Sequence, residues 1–147
     1  MIIMEASSDS LHLGHWIKII DHSANVWSNR FLEPYGLTRS SWYIIYHINA
    51  IGEILQKDLQ SVLEIESGSM AILVDGLVKK GWLHREVDEK DRRVKKLQLS
   101  SEGKERWDKV PNFIEILRDK MMAGITKEDE AYAVSILKKA WTNLKDE

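Results

Sequence analysis

The chain has 147 residues, 44% of them hydrophobic, no cysteine and a formal net charge of −2. That length allows one domain with helical extensions, and the missing cysteines exclude disulfides, thiolate nucleophiles and cysteine zinc sites. No apolar run approaches the ~20 residues that span a bilayer. The start, "MIIMEASSDS", has neither the cationic region nor the apolar length of a secretory signal, so a cytoplasmic location with no membrane partner is expected.

From Leu11 to Leu32 apolar residues recur every three or four positions: Leu13, Trp16, Ile17, Ile20, Ala24, Trp27 and Phe31. This is the period of an amphipathic helix. "EPYGLT" ends it, because Pro34 disfavours helix at Glu33 and Gly36 supplies a turn. Thr38 is a good N-cap for "RSSWYIIYHINAIG", which is apolar on most sides and should sit centrally. Two short helical patterns follow. One carries Leu55, Leu59, Val62 and Leu63; the other carries Met70, Leu73, Val74, Leu77 and Val78. The polar break "EIESGS" separates them, which makes a helix-turn-helix. Gly81 reads as the C-terminal stop after Lys79 and Lys80.

"WLHREV" and "KKLQLS" read as two strands joined by the charged loop "DEKDRR", a β-hairpin with an extended tip. A helix then starts at Ser101, read as its cap with Lys104 where a capping box would have Glu, and runs towards Met121. Pro111 lies inside that run, so a kink or an irregular turn is expected there. Thr126 caps a last helix bearing Tyr132, Val134, Ile136, Leu137, Trp141 and Leu144. A hairpin directly after a helix-turn-helix makes a winged helix. The fold class is mainly α with a small β-hairpin wing (α+β). Residues 34–100 are expected to form the DNA-binding domain. Residues 1–33 and 101–147 are expected to form a helical dimerisation region, since their apolar faces exceed what one such domain can bury and a dimer reads two half-sites.

Charge is unevenly placed. Residues 79–106 carry ten Lys/Arg and six Asp/Glu inside a chain of net −2. On charge alone this is equally a solvated surface or an electrostatic footprint for nucleic acid. His12 and His15 stand three apart with only Asp9 nearby, which is too little for a metal site. No cofactor is expected. No nucleophile–base set, Gly-rich phosphate loop or HExxH appears, so the chain does not read as an enzyme.

The stretches "LGHWIKIIDHSANVWSNRFLEPYGLT", "LTRSSWYIIYHI" and "LVKKGWLHR…DEKDRR…LQLSSEG", in that order, resemble the MarR/SlyA family of transcriptional regulators. The resemblance covers residues 11–106; Ser100 stands where the family usually has Thr. It implies a homodimer, triangular in outline, with interlocking terminal helices, that binds double-stranded DNA, typically as a repressor. The helix from Ser67 to Lys80 would enter the major groove and the wing the minor groove. Candidate recognition-helix residues are Ser67, Gly68, Ser69, Met70, Ala71 and Ile72. Candidate wing residues are Arg85, Asp91, Arg92, Arg93 and Lys95. Arg93 is the candidate for insertion into a narrow, electronegative minor groove, with Asp91 two residues earlier placed to hold its guanidinium. Arg39, Ser40, Gln56 and Lys57 are candidates for the DNA backbone.

Ile72 stands where many family members carry an Arg able to contact guanine, so modest direct readout and greater reliance on backbone and shape are expected. The family also often binds small aromatic anions. Trp16, Ile20, Trp27, Arg30, Trp42 and Tyr46 are candidates for such an effector pocket, though aromatic stripes at helical spacing equally serve a core. The competing reading is a winged-helix protein-interaction module with weak or no DNA binding. The missing Arg and the net negative charge favour that module, and "DEKDRR" opposes it.

Overall fold

A computed structural model describes residues 12–145. The expected helix start at Leu11, and Asp9 beside the two histidines, lie outside the described residues. The chain divides into two compact units, one up to Pro111 and one from Asn112.

In the first unit, α1 runs Leu13–Leu32 and a 3-10 turn Glu33–Tyr35 follows. His12 caps α1, its Nδ1 accepting from the Gly14 N–H at 3.1 Å. Gly36 closes the turn at φ 72°, a left-handed conformation that glycine adopts without steric cost. The buried stripe of α1 is Ala24, Ser28 and Leu32. Leu13, Trp16, Ile17 and Ile20, placed on the apolar face by periodicity, are exposed.

Helix α2 spans Arg39–Ile51. Thr38 caps it as the sequence suggests, in a reciprocal box: Thr38 Oγ1 accepts from Ser41 N–H and Ser41 Oγ accepts from Thr38 N–H. Trp42, Ile44, Ile45 and Ile48 are buried, so α2 is the central helix. Helices α3 (Gln56–Leu63) and α4 (Ser67–Lys79) form the helix-turn-helix. Glu64 turns the chain between them at φ 53° and Ile65 N–H donates back to Gln60 O. Leu59, Met70, Val74 and Leu77 close the core beneath them.

The sheet has three strands: β1 Glu53–Leu55, β2 Leu83–Val87 and β3 Lys95–Leu99. Their order is β1-β3-β2, all antiparallel, with Ile54 and Arg85 both opposite Leu97. Sequence periodicity gives the hairpin but assigns Leu55 to the following helix. The structure instead uses residues 53–55 as a strand on the free side of β3. Leu97 and Leu99 are buried and alternate across half-buried Gln98, the signature of a one-sided sheet.

Helix α5 covers Ser101–Trp107. Its cap is Ser100 rather than Ser101. The Ser100 Oγ accepts from Gly103 N–H at 2.8 Å and donates to Gly81 O, so the cap also ties α5 to the turn after α4. Gly103 has no room for a side chain: a Cβ there would lie 2.1 Å from Trp82 O. Arg106 stacks over the buried Trp82 ring at 3.9 Å and donates to Lys80 O at 2.8 Å.

The second unit holds α6 (Phe113–Met121) and α7 (Lys127–Lys145). The interruption around Pro111 is an irregular turn, after which Asn112 recaps the chain onto Ile114 N–H. Thr126 Oγ1 accepts from Asp129 N–H at the start of α7. Arg118 pairs with Glu130 at 3.0 Å, joining the two helices.

Candidate nucleic-acid interface

The second helix of the helix-turn-helix turns a polar, small-residue face outward. Ser67, Gly68 and Ser69 are exposed, Ala71 is half-buried and Ile72 is 75% exposed. Met70, a recognition-helix candidate by sequence, is fully buried. Its position in the helical period points it into the core with Val74 and Leu77, so it supports the face without being part of it.

The wing tip is built by carboxylates. Asp88 Oδ1 accepts from the N–H groups of Lys90 and Asp91 at 2.8 and 2.9 Å, an Asx turn that folds the loop back. Asp88 N–H donates to Val94 O, and Val94 N–H to Asp91 O, both at 2.9 Å. Asp91 then grips Arg93 at three points. Arg93 Nε and Nη2 donate to the two carboxylate oxygens at 3.0 and 3.2 Å, and Arg93 N–H donates at 3.1 Å. The Arg93 side chain is nonetheless 92% exposed. The Asp91 carboxyl is held below the usual carboxylate range. The Arg93 side-chain bonds are the largest cause, then the Arg93 backbone N–H, with Lys57 adding to both. Lys57, at the start of α3, therefore shares the electrostatic field of the wing.

Arg85 takes a different role from the tip. It is only 24% exposed and pairs with Asp75 on α4. Sequence inspection groups Arg85 with the wing cations and overlooks Asp75, whose signal was its place one turn beyond Ile72 on the exposed face. Arg92 is exposed and Lys95 half-buried at the start of β3. Arg39 donates its N–H to Asn29 Oδ1 at 2.8 Å, and its guanidinium lies 3.5 Å from Asp21. With Ser40 it lines a concavity of about 260 Å³ beside Leu63 and Ile65. Gln56 buries its Oε1, which accepts no hydrogen bond.

The sequence model of the MarR family matches residues 35–94. Over these residues the chain is similar to the MarR family. The chain is 29% identical over 119 residues to YwoH, an uncharacterized HTH-type transcriptional regulator of Bacillus subtilis (strain 168), covering 79% of this chain and 86% of the relative. It superposes on a mutant of MarR from E. coli complexed with operator DNA, with a TM-score of 0.76 at 23% identity, covering 87% and 92% of the two chains. The S. aureus MepR–DNA complex gives a TM-score of 0.79 at 18% identity, covering 90% and 98%. Thus the winged helix resembled by the sequence is the fold observed, and the stretch similar to the MarR family runs from the turn after α1 to the crest of the wing.

Among the described residues, the candidates for an effector pocket fall in different settings. Trp42 is buried, stacked on Tyr46 at 5.0 Å and 5.4 Å from Trp107, so it belongs to the core. Trp27 stacks on Phe31 within α1. Trp16 and Ile20 are exposed on the first half of α1. Arg30 lines a concavity of about 400 Å³ with Asn29, Glu33, Leu37, Thr38 and Lys80.

Proposed function

We propose that this protein is a dimeric, sequence-reading DNA-binding transcriptional regulator, a repressor rather than an enzyme, acting in the cytoplasm. The Asp91–Arg93 fork carries the reading. A fully exposed arginine ordinarily gains nothing from being fixed in water, where such pairs contribute little. Here three donors converge on one carboxylate and fix the guanidinium at the crest of a hairpin. That arrangement suits a cation pre-set for a narrow minor groove while α4 lies in the adjacent major groove. The DNA-bound state of two structures with the same fold supports it.

Residues 34–100 form the DNA-binding domain in this reading, and residues 1–33 and 101–147 the dimerisation region. Support for the second part comes from apolar surface. Trp16, Ile17 and Ile20 on α1, and Tyr132, Leu137 and Trp141 on α7, are exposed. Apolar stripes of that extent mark an interaction surface. Phosphate contacts fall to Lys57, Ser40 and the first-turn N–H groups of α4. A small aromatic or anionic effector would enter the concavity beside Arg30 and Lys80, whose lining also holds Leu37 and Glu33.

The test is fluorescence anisotropy of the full chain against the DNA upstream of its own gene, beside a shuffled duplex, over several salt concentrations. Preferential binding with a steep salt slope is expected. Absence of binding to either duplex at low salt would replace this reading with a protein-interaction module.

A further inference from the structure

Between Ser67 and Val78, helix α4 exposes one large hydrophobic side chain, that of Ile72. Ile72 is 75% exposed, more than any other large hydrophobic residue described between residues 12 and 111. Gly68 and Gly76 stand one turn before and one turn after it. At both, open space surrounds the position a Cβ would occupy. Because residues four apart stack on one helical stripe, Ile72 projects alone between two gaps, and a groove wall can approach the backbone on either side of it. Its exposed neighbour one turn back is Ser69. Its neighbour one turn on is Asp75, whose charge is engaged by Arg85.

From Ser67 to Val78 there is no Lys, Arg, Asn or Gln. These are the side chains that reach guanine or adenine edges with paired hydrogen bonds. What this face offers a base pair at its centre is therefore a branched hydrocarbon. Thymine alone among the four bases carries a methyl group on its major-groove edge. We propose that Ile72 is the specificity-determining residue of α4 and that it reads the C5 methyl of thymine. The inference rests on the DNA-binding reading above and deepens it: this helix selects by apolar contact, with the two glycines allowing the close approach that contact needs.

The experiment begins with duplexes enriched by the full protein from a random-sequence pool. Each thymine of the enriched site is then replaced in turn by uracil, which removes the methyl and leaves base pairing unchanged. Affinities are measured by anisotropy for the wild type and for Ile72→Ala, a change at an exposed position that leaves the core intact. The wild type is expected to lose roughly fourfold in affinity at one or more thymines, the value of one buried methyl. Ile72→Ala is expected to bind thymine and uracil duplexes equally. Equal losses in both proteins, or no loss in the wild type, would overturn the inference while leaving DNA binding in place. Failure to enrich any duplex would overturn the DNA-binding reading itself, and this inference with it.

Discussion

Arg93 and Asp91 act as a unit, and their chemistry sets what each substitution should do. Arg93→Ala removes one cation from the interface. Its expected effect is weaker DNA binding with the log–log salt dependence shallower by about 0.9, the slope of one phosphate-equivalent contact, and an unchanged dimer by sedimentation. Asp91→Asn keeps the cation but removes the charged half of the fork, so the salt slope should hold while affinity drops. The Asp91 pKa is depressed in the folded chain. The order it gives the wing is therefore complete above the ordinary carboxylate range and is lost only as pH falls through that lowered value. The wing amides should keep a constant protection, relative to their intrinsic exchange rates, from neutral to mildly acid pH, with Arg93 loosening only at strongly acid pH. Reading the pair from sequence was possible because it is local, two residues apart. The Arg85–Asp75 pair was not legible, since ten residues and a change of element separate its members.

At the scale of elements, helices with strong caps and one-sided periodicity were readable: α2 from Thr38, α4 from its apolar run and Gly81, α7 from Thr126. The strand β1 was not. Three residues cannot show a period, and Leu55 fits the apolar spacing of α3 as well as it fits a strand; only pairing with β3 decides it. The cap of α5 was misplaced by one residue for a similar reason. Two adjacent serines are equivalent locally, and the choice of Ser100 comes from its bond to Gly81, nineteen residues away in sequence. This junction leaves no room for a side chain at Gly103. Gly103→Ala would drive a methyl against the Trp82 carbonyl. A loss of about 1–3 kcal/mol is expected from such overpacking, visible as a lower midpoint in thermal unfolding.

For the whole molecule, the pattern of exposure carries the argument. The helix-turn-helix and sheet bury Leu59, Met70, Val74, Leu77, Leu97 and Leu99, while α7 has no buried residue among those described. Sequence periodicity marked apolar faces on α1 and α7 but could not tell a core face from an exposed one, because both leave the same pattern. Leu137→Asp places a charge within the exposed stripe of α7. The expected outcome is a shift from dimer to monomer in analytical ultracentrifugation with helical content preserved by circular dichroism. Operator affinity should fall with it, since a monomer engages one half-site. A fully active monomer would defeat the two-half-site reading.

The bridge from Arg85 to Asp75 has a consequence for how the protein would measure DNA. It ties a strand of the wing to the helix that precedes it, so in the DNA-binding reading proposed above the two would meet a duplex together, as one caliper. Such a tool grips only an object of the right gauge. A single base pair inserted between the stretch under α4 and the stretch under the wing displaces one jaw by about 3.4 Å along the axis, and the caliper must then let go at one end. Spacing, as much as base identity, would decide which duplexes it holds.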